Sequence, residues 1–345
     1  MSNNNIQIKL LDETTIQKQA EIVSWGFHDQ ECTQAYKEHW YIKHYCNPLG
    51  KSWIFGAYID DKLVGIKAYY LTKYAFHDTI FNIIMSCDST VLRAYRGRGI
   101  WSELVNYAMD YLRQNVDYNA VISFPNYTNT YIGFQKLGWQ KVDILTNYAW
   151  INCGYNFAKC IFRHRMLQFL GSAILSPFLT ITHAWTKILA LNNATVVSCR
   201  PQQLLLGSND DRIHLYLTEQ VLDWKIRMQN LLPISILQNN TIIATCLYQL
   251  STYNGQKIIK LYHIGYKNGY YSQATQIIAT LLHFLIKQYS DVAFIRIWAM
   301  SKDMNKDSIK KNLFIKTTHP NPFILKANAP LFTNEWDVSL LDLDY

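Results

Sequence analysis

The chain has 345 residues, of which 49% are apolar and 14% aromatic, and a formal net charge of +8, enough material for two packed domains of about 150 to 200 residues each. The basic balance suits an anionic ligand or an acidic surface, but no Lys/Arg block of five occurs, so it gives no sign of nucleic-acid binding. Seven cysteines (Cys32, Cys46, Cys87, Cys153, Cys160, Cys199, Cys246) are scattered, odd in number and never in C-x-x-C spacing, which argues against a metal site or a disulfide framework and for a reducing cytoplasm.

The start of the sequence, Met-Ser-Asn-Asn-Asn-Ile, is polar and lacks a signal-peptide pattern. Alternating Ile6, Ile8 and Leu10 predict a first strand. Residues 14–45 read as helical in two parts, the second rich in aromatics and stopped by Asn47-Pro48. Strands over 52–59 and 63–73 meet at Asp60-Asp61, and a third covers about 79–91. That strand runs into the short basic loop Arg96-Gly97-Arg98-Gly99, and a helix follows with Ile100, Leu104, Ala108, Tyr111 and Leu112 on one face. Glycines at a strand-to-helix junction let backbone N–H groups converge where the helix dipole is positive, and two arginines lie beside them. Such a place suits a diphosphate. A buried strand over 120–124, a helix over 129–137 and a strand over 139–151 complete the first part.

Residues 166–186 carry no formal charge and are long enough to cross a bilayer, with Arg163, His164 and Arg165 before them. Their polar residues and Pro177 favour a buried helical hairpin broken near Pro177, with a transmembrane span and a membrane-surface helix as the other readings. Beyond this arm, strands over 232–237, 241–251, 257–266 and 292–298 and helices over 219–229 and 272–289 repeat the earlier order. The second half thus reads as a degenerate copy of the first. Its loop, Gly265 to Ser272, lacks the Arg-x-x-Gly-x-Gly spacing, so a second diphosphate site is not expected there. The expected division is 1–152, an inter-domain helical arm over 153–200, and 201–345.

The order β-α-α-β-β-β-α-β-α-β over residues 5–151, with the glycine loop ahead of its middle helix, resembles the GNAT superfamily of acyl-CoA N-acyltransferases. The resemblance rests on Val91-Leu92-x-x-Tyr95-Arg96-Gly97-Arg98-Gly99-Ile100, on Phe124-Pro125-Asn126, and on Phe134-x-x-Leu137-Gly138-Trp139. It implies an α/β (α+β) fold, two GNAT-like domains each with a mixed, mostly antiparallel sheet flanked by helices. It also implies acetyl-CoA or another acyl-CoA as co-substrate, with no metal. By this resemblance Leu92 makes backbone contacts to the pantetheine arm. Arg96, Gly97, Arg98, Gly99, Ile100 and Trp101 cradle the diphosphate, and Asn126 belongs to the same cofactor-binding set.

Two positions depart from the family pattern. Trp101 stands where Gly or Ala is usual, and Phe134 stands where many members carry a tyrosine that protonates the departing thiolate. Tyr131, one helical turn earlier, is the candidate substitute. Asp88 is the first candidate for general base, since alternation places it with Thr90 and Leu92 on one face of the strand. Tandem proteins with one intact and one degenerate half resemble acyltransferases of bacterial surface-polysaccharide pathways, which implies an amino-sugar acceptor, free or nucleotide-linked. Trp40 and His44, in Trp40-x-x-Lys43-x-x-x-Asn47-Pro48, and Asp342 and Asp344, near the chain end, are the candidate acceptor residues. Another small amine as acceptor, or a non-catalytic CoA-binding protein, are the competing readings.

Overall fold

In a computed structural model the described residues are 6–126, 129–198, 212–300, 303, 305–317, 320–327 and 336–343. In chain order the elements are β1 (Gln7–Leu11), α1 (Ile16–His28), α2 (Gln34–Tyr45), β2 (Trp53–Ile59), β3 (Lys62–Phe76), β4 (Thr79–Val91), α3 (Ile100–Asn115), β5 (Ala120–Ser123), α4 (Asn129–Lys136) and β6 (Gln140–Ile151). Then follow α5 (Gly154–Ile161), α6 (Arg165–Leu189), β7 (Ala194–Val197), β8 (Ile213–Leu215), α7 (Glu219–Gln229), β9 (Leu232–Gln238), β10 (Thr241–Tyr253) and β11 (Gln256–Tyr266). The last are α8 (Ala274–Gln288), β12 (Phe294–Ala299), α9 (Lys306–Lys311), β13 (Ile315–Lys316), β14 (Asn321–Ala327) and β15 (Trp336–Asp337).

Turn chemistry folds the long strands back on themselves. Asp60-Asp61, Asn239-Asn240 and Asn254-Gly255 all hold positive φ, between 46° and 75°, the conformation of a two-residue turn whose twist matches antiparallel strands. Between α1 and α2 the chain breaks at Asp29, which is left-handed at φ 53°, and Thr33 then caps α2 by accepting from the Tyr36 N–H at 3.2 Å.

The chain forms two compact units, and the expected boundaries at 152 and 200 are not theirs. The first unit takes Met1–Val142 together with Arg212–Met228 and Pro322–Trp336. The second takes Asp143–Asp211, Gln229–Asn321 and Asp337–Tyr345. The cause is strand pairing between residues distant in sequence, which periodicity does not reveal.

In the first unit the sheet order is β1-β2-β3-β4-β5-β14. All neighbours are antiparallel except β4 and β5, which run parallel from Ile83↔Ala120 to Met85↔Ile122 and are joined through α3. β14, from late in the chain, closes this sheet against β5 at Ile324↔Ser123. Helix α3 buries Ile100, Leu104, Val105, Ala108, Met109 and Leu112, an i, i+4 stripe packed with Phe55, Val64, Tyr69, Ile84 and Val121. Two bulges interrupt the ladders: Val64 is the extra residue of β3 against β2, and Asp88 the extra residue of β4 against β3.

The second unit repeats this plan. Its sheet order is β6-β12-β11-β10-β9-β7, with β11 and β12 parallel through α8 and β6 antiparallel to β12 from Phe294↔Ile151. Its bulges fall at Ile243 of β10 and Tyr262 of β11, the counterparts of Val64 and Asp88. The core lies between this sheet and α8, whose Ile277, Ile278, Leu281, Leu282 and Leu285 are buried.

The hairpin expected near Pro177 is instead one continuous helix, α6, of 25 residues. Pro177 and Ala173, whose carbonyl loses its donor, both lie on the exposed side, so water serves the freed group and the packed side continues unbroken. By length and composition alone, α6 is able to cross a membrane.

Candidate functional site

The Arg96–Trp101 loop sits where β4 ends. A short turn over Arg93–Tyr95 leads into Gly97 and Gly99, with φ of 78° and 81°. An L side chain at either position would strain the backbone. Gly99 is the residue ahead of α3, and no side chain caps that helix. The first helical hydrogen bond is Glu103 N–H to Gly99 O at 3.1 Å, so the N–H groups of Ile100, Trp101 and Ser102 have no partner within the helix. A cavity of about 480 Å³ opens here, walled by Phe27, Ser89, Thr90, Arg96, Gly99 and Trp101 among others. Bare N–H groups, the positive end of a 16-residue helix and room for a chain of atoms together make an anion site.

The two arginines are partly engaged in building the loop. Arg96 donates from Nε to the Val91 carbonyl at 2.8 Å and from Nη2 to that of Gly26 at 3.2 Å, tying the end of α1 to the end of β4. Arg98 donates to the Ala94 carbonyl at 3.2 Å and lies over the Tyr95 ring. Leu92 has its backbone N–H bonded to Val64 O and its carbonyl accepting from Tyr95 N–H, both at 2.9 Å. That N–H is therefore committed to β3, and of the Leu92 backbone only the second lone pair of the carbonyl remains to meet a ligand. Glu103 is the acidic residue in the first turn of α3.

Trp101 does not point away from the protein. Its Nε1–H donates to Ser89 Oγ at 2.7 Å, and its ring packs edge-on against Phe134 with centroids 5.0 Å apart. A Cβ at Gly133 would meet this ring at 2.7 Å, which explains a glycine inside α4. Phe134 is buried against both Trp101 and Trp139. Tyr131 is half-buried on the same helix, and its hydroxyl accepts from Gln135 Nε2 at 3.0 Å. Asn126 is exposed just beyond β5.

Asp88 and His44, named separately from the sequence, come together. Thr90 meets Gly26 of α1 and Asp88 meets α2. The Asp88 carboxylate lies 2.7 Å from Lys43 Nζ and 3.0 Å from His44 Nε2, while His44 Nδ1 is 2.9 Å from Ser52 Oγ. Burial pushes the Asp88 carboxyl up, but the Lys43 ammonium and the His44 contact outweigh it and hold the group well below the usual carboxylate range. Asp88 is thus ionised at neutral pH and a poor acceptor of an ammonium proton there. The backbone at Asp88 has φ of 25°, strain absorbed by the bulge. The bulge also brings Cys87 Sγ within 4.8 Å of the His44 and Asp88 ligand atoms. Lys43 already supplies the positive charge that a metal would bring to this trio.

The proposed acceptor residues take structural places. Trp40 is 1% exposed, donates from Nε1 to Gln19 Oε1 at 3.0 Å and packs on His44. It is a core residue with no face for a sugar. His44 is fully buried. Asp342 is also buried, and its carboxylate accepts from the Ser339 N–H at 2.7 Å and from the Ser339 hydroxyl at 3.2 Å, closing a capping box. Asp344 lies outside the described residues. Asn47 holds its own loop, donating to Leu71 O and accepting from Leu49 N–H.

Sequence reasoning missed Lys67, Ser89 and the charge on Lys43. Lys67 is buried in β3, donates to the Cys87 carbonyl and lies over the Tyr69 ring at 4.7 Å. Its signal was available: it is the one charge between Leu63 and Thr72 in an otherwise apolar strand. In the second unit a separate cavity of about 210 Å³ opens beyond the paired part of β11 and β12, walled by Tyr262, Tyr266, Gly269, Trp298, Asp303 and Asp337 among others.

Residues 7–142 match the family model for an acetyltransferase (GNAT) domain. No curated protein matches the chain. Among solved structures, the fold is similar to that of Saccharomyces cerevisiae N-myristoyltransferase with bound myristoyl-CoA, with a TM-score of 0.64, 11% identity, and 99% of this chain and 90% of that one covered. It is also similar to an Enterococcus faecalis V583 protein described as a probable N-acyltransferase (TM-score 0.61, 13% identity, 93% and 72% covered). A GCN5-related N-acetyltransferase from Anabaena variabilis matches at a TM-score of 0.57 and 12% identity, with 93% and 72% covered. At these identities the likeness is one of fold, a mixed sheet flanked by helices. The acetyltransferase-domain match supports an N-acyltransferase enzyme.

Proposed function

We propose that the first unit binds an acyl-CoA, with its diphosphate at the bare N-terminus of α3, and that the protein transfers the acyl group directly to a primary amine. The observation that carries this is the pair Gly97 and Gly99, both left-handed, holding three unpartnered helix N–H groups open to the 480 Å³ cavity. In the transfer a C–N bond forms between the neutral amine and the thioester carbonyl. The C–S bond breaks, the amine proton passes to water, and the CoA thiolate takes a proton. Proximity and N–H donors at the developing oxyanion supply most of the acceleration in such a reaction. Tyr131 is our proposed proton donor to the thiolate, because Phe134 has no hydroxyl. The ionised Asp88 fixes Lys43 and His44 behind β4 rather than acting as base.

The acceptor class we propose is an amino sugar, free or nucleotide-linked, in surface-polysaccharide synthesis. Its support is the net charge of +8, which suits an anionic nucleotide carrier. A cytoplasmic location accords with the absence of any disulfide among the six described cysteines. The second unit, by its lack of the glycine spacing, serves as a degenerate partner without a second CoA. Titration calorimetry with acetyl-CoA and myristoyl-CoA, followed by thiol-release assays on UDP- and dTDP-amino sugars, amino acids and peptides, tests the whole reading. One CoA per chain and turnover on an amino sugar is the expected result. Turnover only on another amine corrects the acceptor, and tight CoA binding with no acylation of any amine defeats the enzyme reading.

A further inference from the structure

Helix α6 turns most of its large apolar side chains outward. The side packed on its own unit carries Gln168, Gly171, Ser172, Thr182, His183 and Thr186, with Leu175 and Leu179 against Gly154 of α5. Gly171 approaches Phe162 of the α5–α6 connection, His183 stacks on Trp150 of β6 with centroids 5.1 Å apart, and the Thr186 hydroxyl donates to Thr182 O at 2.8 Å. The outward side carries nine large apolar side chains, from Met166 through Phe169, Ile174 and Ile181 to Ile188, each 37–75% exposed. Such a continuous apolar stripe is far more than scattered surface residues require. Tyr155 and Ile161 of α5 extend it at 43% and 58% exposure.

Charge identifies what covers this stripe. Between Asp143 and Asp210 the sequence has no carboxylate, yet it contains Lys159, Arg163, Arg165, Lys187 and Arg200. Arg163 and Arg165 stand at the start of α6 and Lys187 at its end. An apolar helix face bordered by cations and free of acids complements a bilayer surface with anionic headgroups. A protein partner or a second copy would bury the stripe equally well but would give no reason for excluding carboxylates over 66 residues. The helix lies in the interface and does not span it, because its other side is occupied along its length, from Gly171 against Phe162 to His183 against Trp150.

We infer that the outward face of α6, with Arg163, Arg165 and Lys187, is a peripheral docking surface for an anionic lipid bilayer. Sedimentation of the full chain with sonicated vesicles tests this, using phosphatidylcholine alone and with 30% phosphatidylglycerol. The expected result is binding to the anionic vesicles, at least tenfold weaker on neutral ones and reduced by 0.5 M NaCl. Ile174→Glu with Ile181→Glu should abolish it, and Arg163→Glu with Arg165→Glu should weaken it at least tenfold. All four sites are exposed, so the variants should keep the wild-type melting temperature. Absence of binding to either vesicle overturns the inference. So does a concentration-dependent dimer that Ile174→Glu dissociates while vesicle binding is missing, since the stripe is then a protein interface. Protein that resists alkaline carbonate extraction from membranes overturns it in the other direction, by showing a span.

Discussion

In the first unit β4 bulges at Asp88, continues to the left-handed Gly97 and Gly99, and enters α3 with no cap; in the second, β11 bulges at Tyr262, turns at the left-handed Gly269 and enters α8 through a short turn over Tyr271–Gln273. The joints correspond, and the chemistry placed on them does not. At the bulge, one unit holds a carboxylate paired with a lysine and a histidine, and the other a buried tyrosine near Gln249. At the turn both units bond the strand-end N–H back, Leu92 to Val64 O and Lys267 to Ile243 O, and neither following helix has a side-chain cap, but Gly99 stands directly before α3 and Gln273 directly before α8. A shared backbone plan therefore carries no guarantee of a shared ligand. What distinguishes an anion site is whether glycine stands directly before the helix.

The largest expected effect breaks the comparison at the bulge. Asp88→Asn removes the charge 2.7 Å from a buried ammonium and should cost about 3–5 kcal/mol in urea unfolding, whereas Tyr262→Phe should cost about 1 kcal/mol. Equal losses would show that the two bulges do the same structural task. The acid limb of the stability curve gives a second reading. Because the folded Asp88 carboxyl titrates below its unfolded value of about 3.9, its contribution is complete above that pH and is lost as pH falls through the folded value. Wild type should lose stability steeply below about pH 4, and Asp88→Asn should show a flatter slope there.

Next in size is the turn. Gly99→Val forces a branched side chain to φ 81° and should weaken CoA binding about a hundredfold, close to 3 kcal/mol, by calorimetry. Gly269→Val imposes the same strain at φ 87° and should lower the melting temperature but leave the CoA affinity within about twofold. A matching loss of CoA binding from both would place the ligand elsewhere. A smaller effect is expected at α4: Tyr131→Phe should lower kcat about tenfold at saturating substrates with KM unchanged, as for loss of a proton donor. An unchanged kcat, with chemistry rate-limiting, removes Tyr131 from the mechanism.

Much of this was legible in local sequence. The strand at 79–91, the glycine loop and the helix from Ile100 stand where their residues place them, and the second-half strands follow their alternation closely. Local pattern failed where the determining partner is distant. β14 was invisible as a member of the first sheet because its partner β5 lies some 200 residues earlier. Trp40 looked like a sugar platform because aromatic side chains read alike on a surface and in a core, and only Gln19, packed beside it, shows which applies. Pro177 was misleading in the opposite sense. A proline breaks a helix whose freed carbonyl is buried, but here that carbonyl faces outward and the helix continues.

The smallest expected effect concerns Trp101, the bulky residue where the loop enters α3. Two parts of its side chain act separately: the ring fills the space above Gly133 and against Phe134, and Nε1–H donates to Ser89 Oγ at 2.7 Å. Trp101→Phe keeps most of the ring and deletes the donor, so a loss of about 1 kcal/mol in stability is expected, the net value of one hydrogen bond. CoA affinity should change less than threefold, because the cradle donates through the Trp101 backbone N–H, which any residue retains. Calorimetric CoA binding by this variant decides between the two parts. A tenfold loss would mean that the indole N–H, held by Ser89, itself belongs to the ligand site, and that the first unit binds its anion with side chains as well as with the helix end.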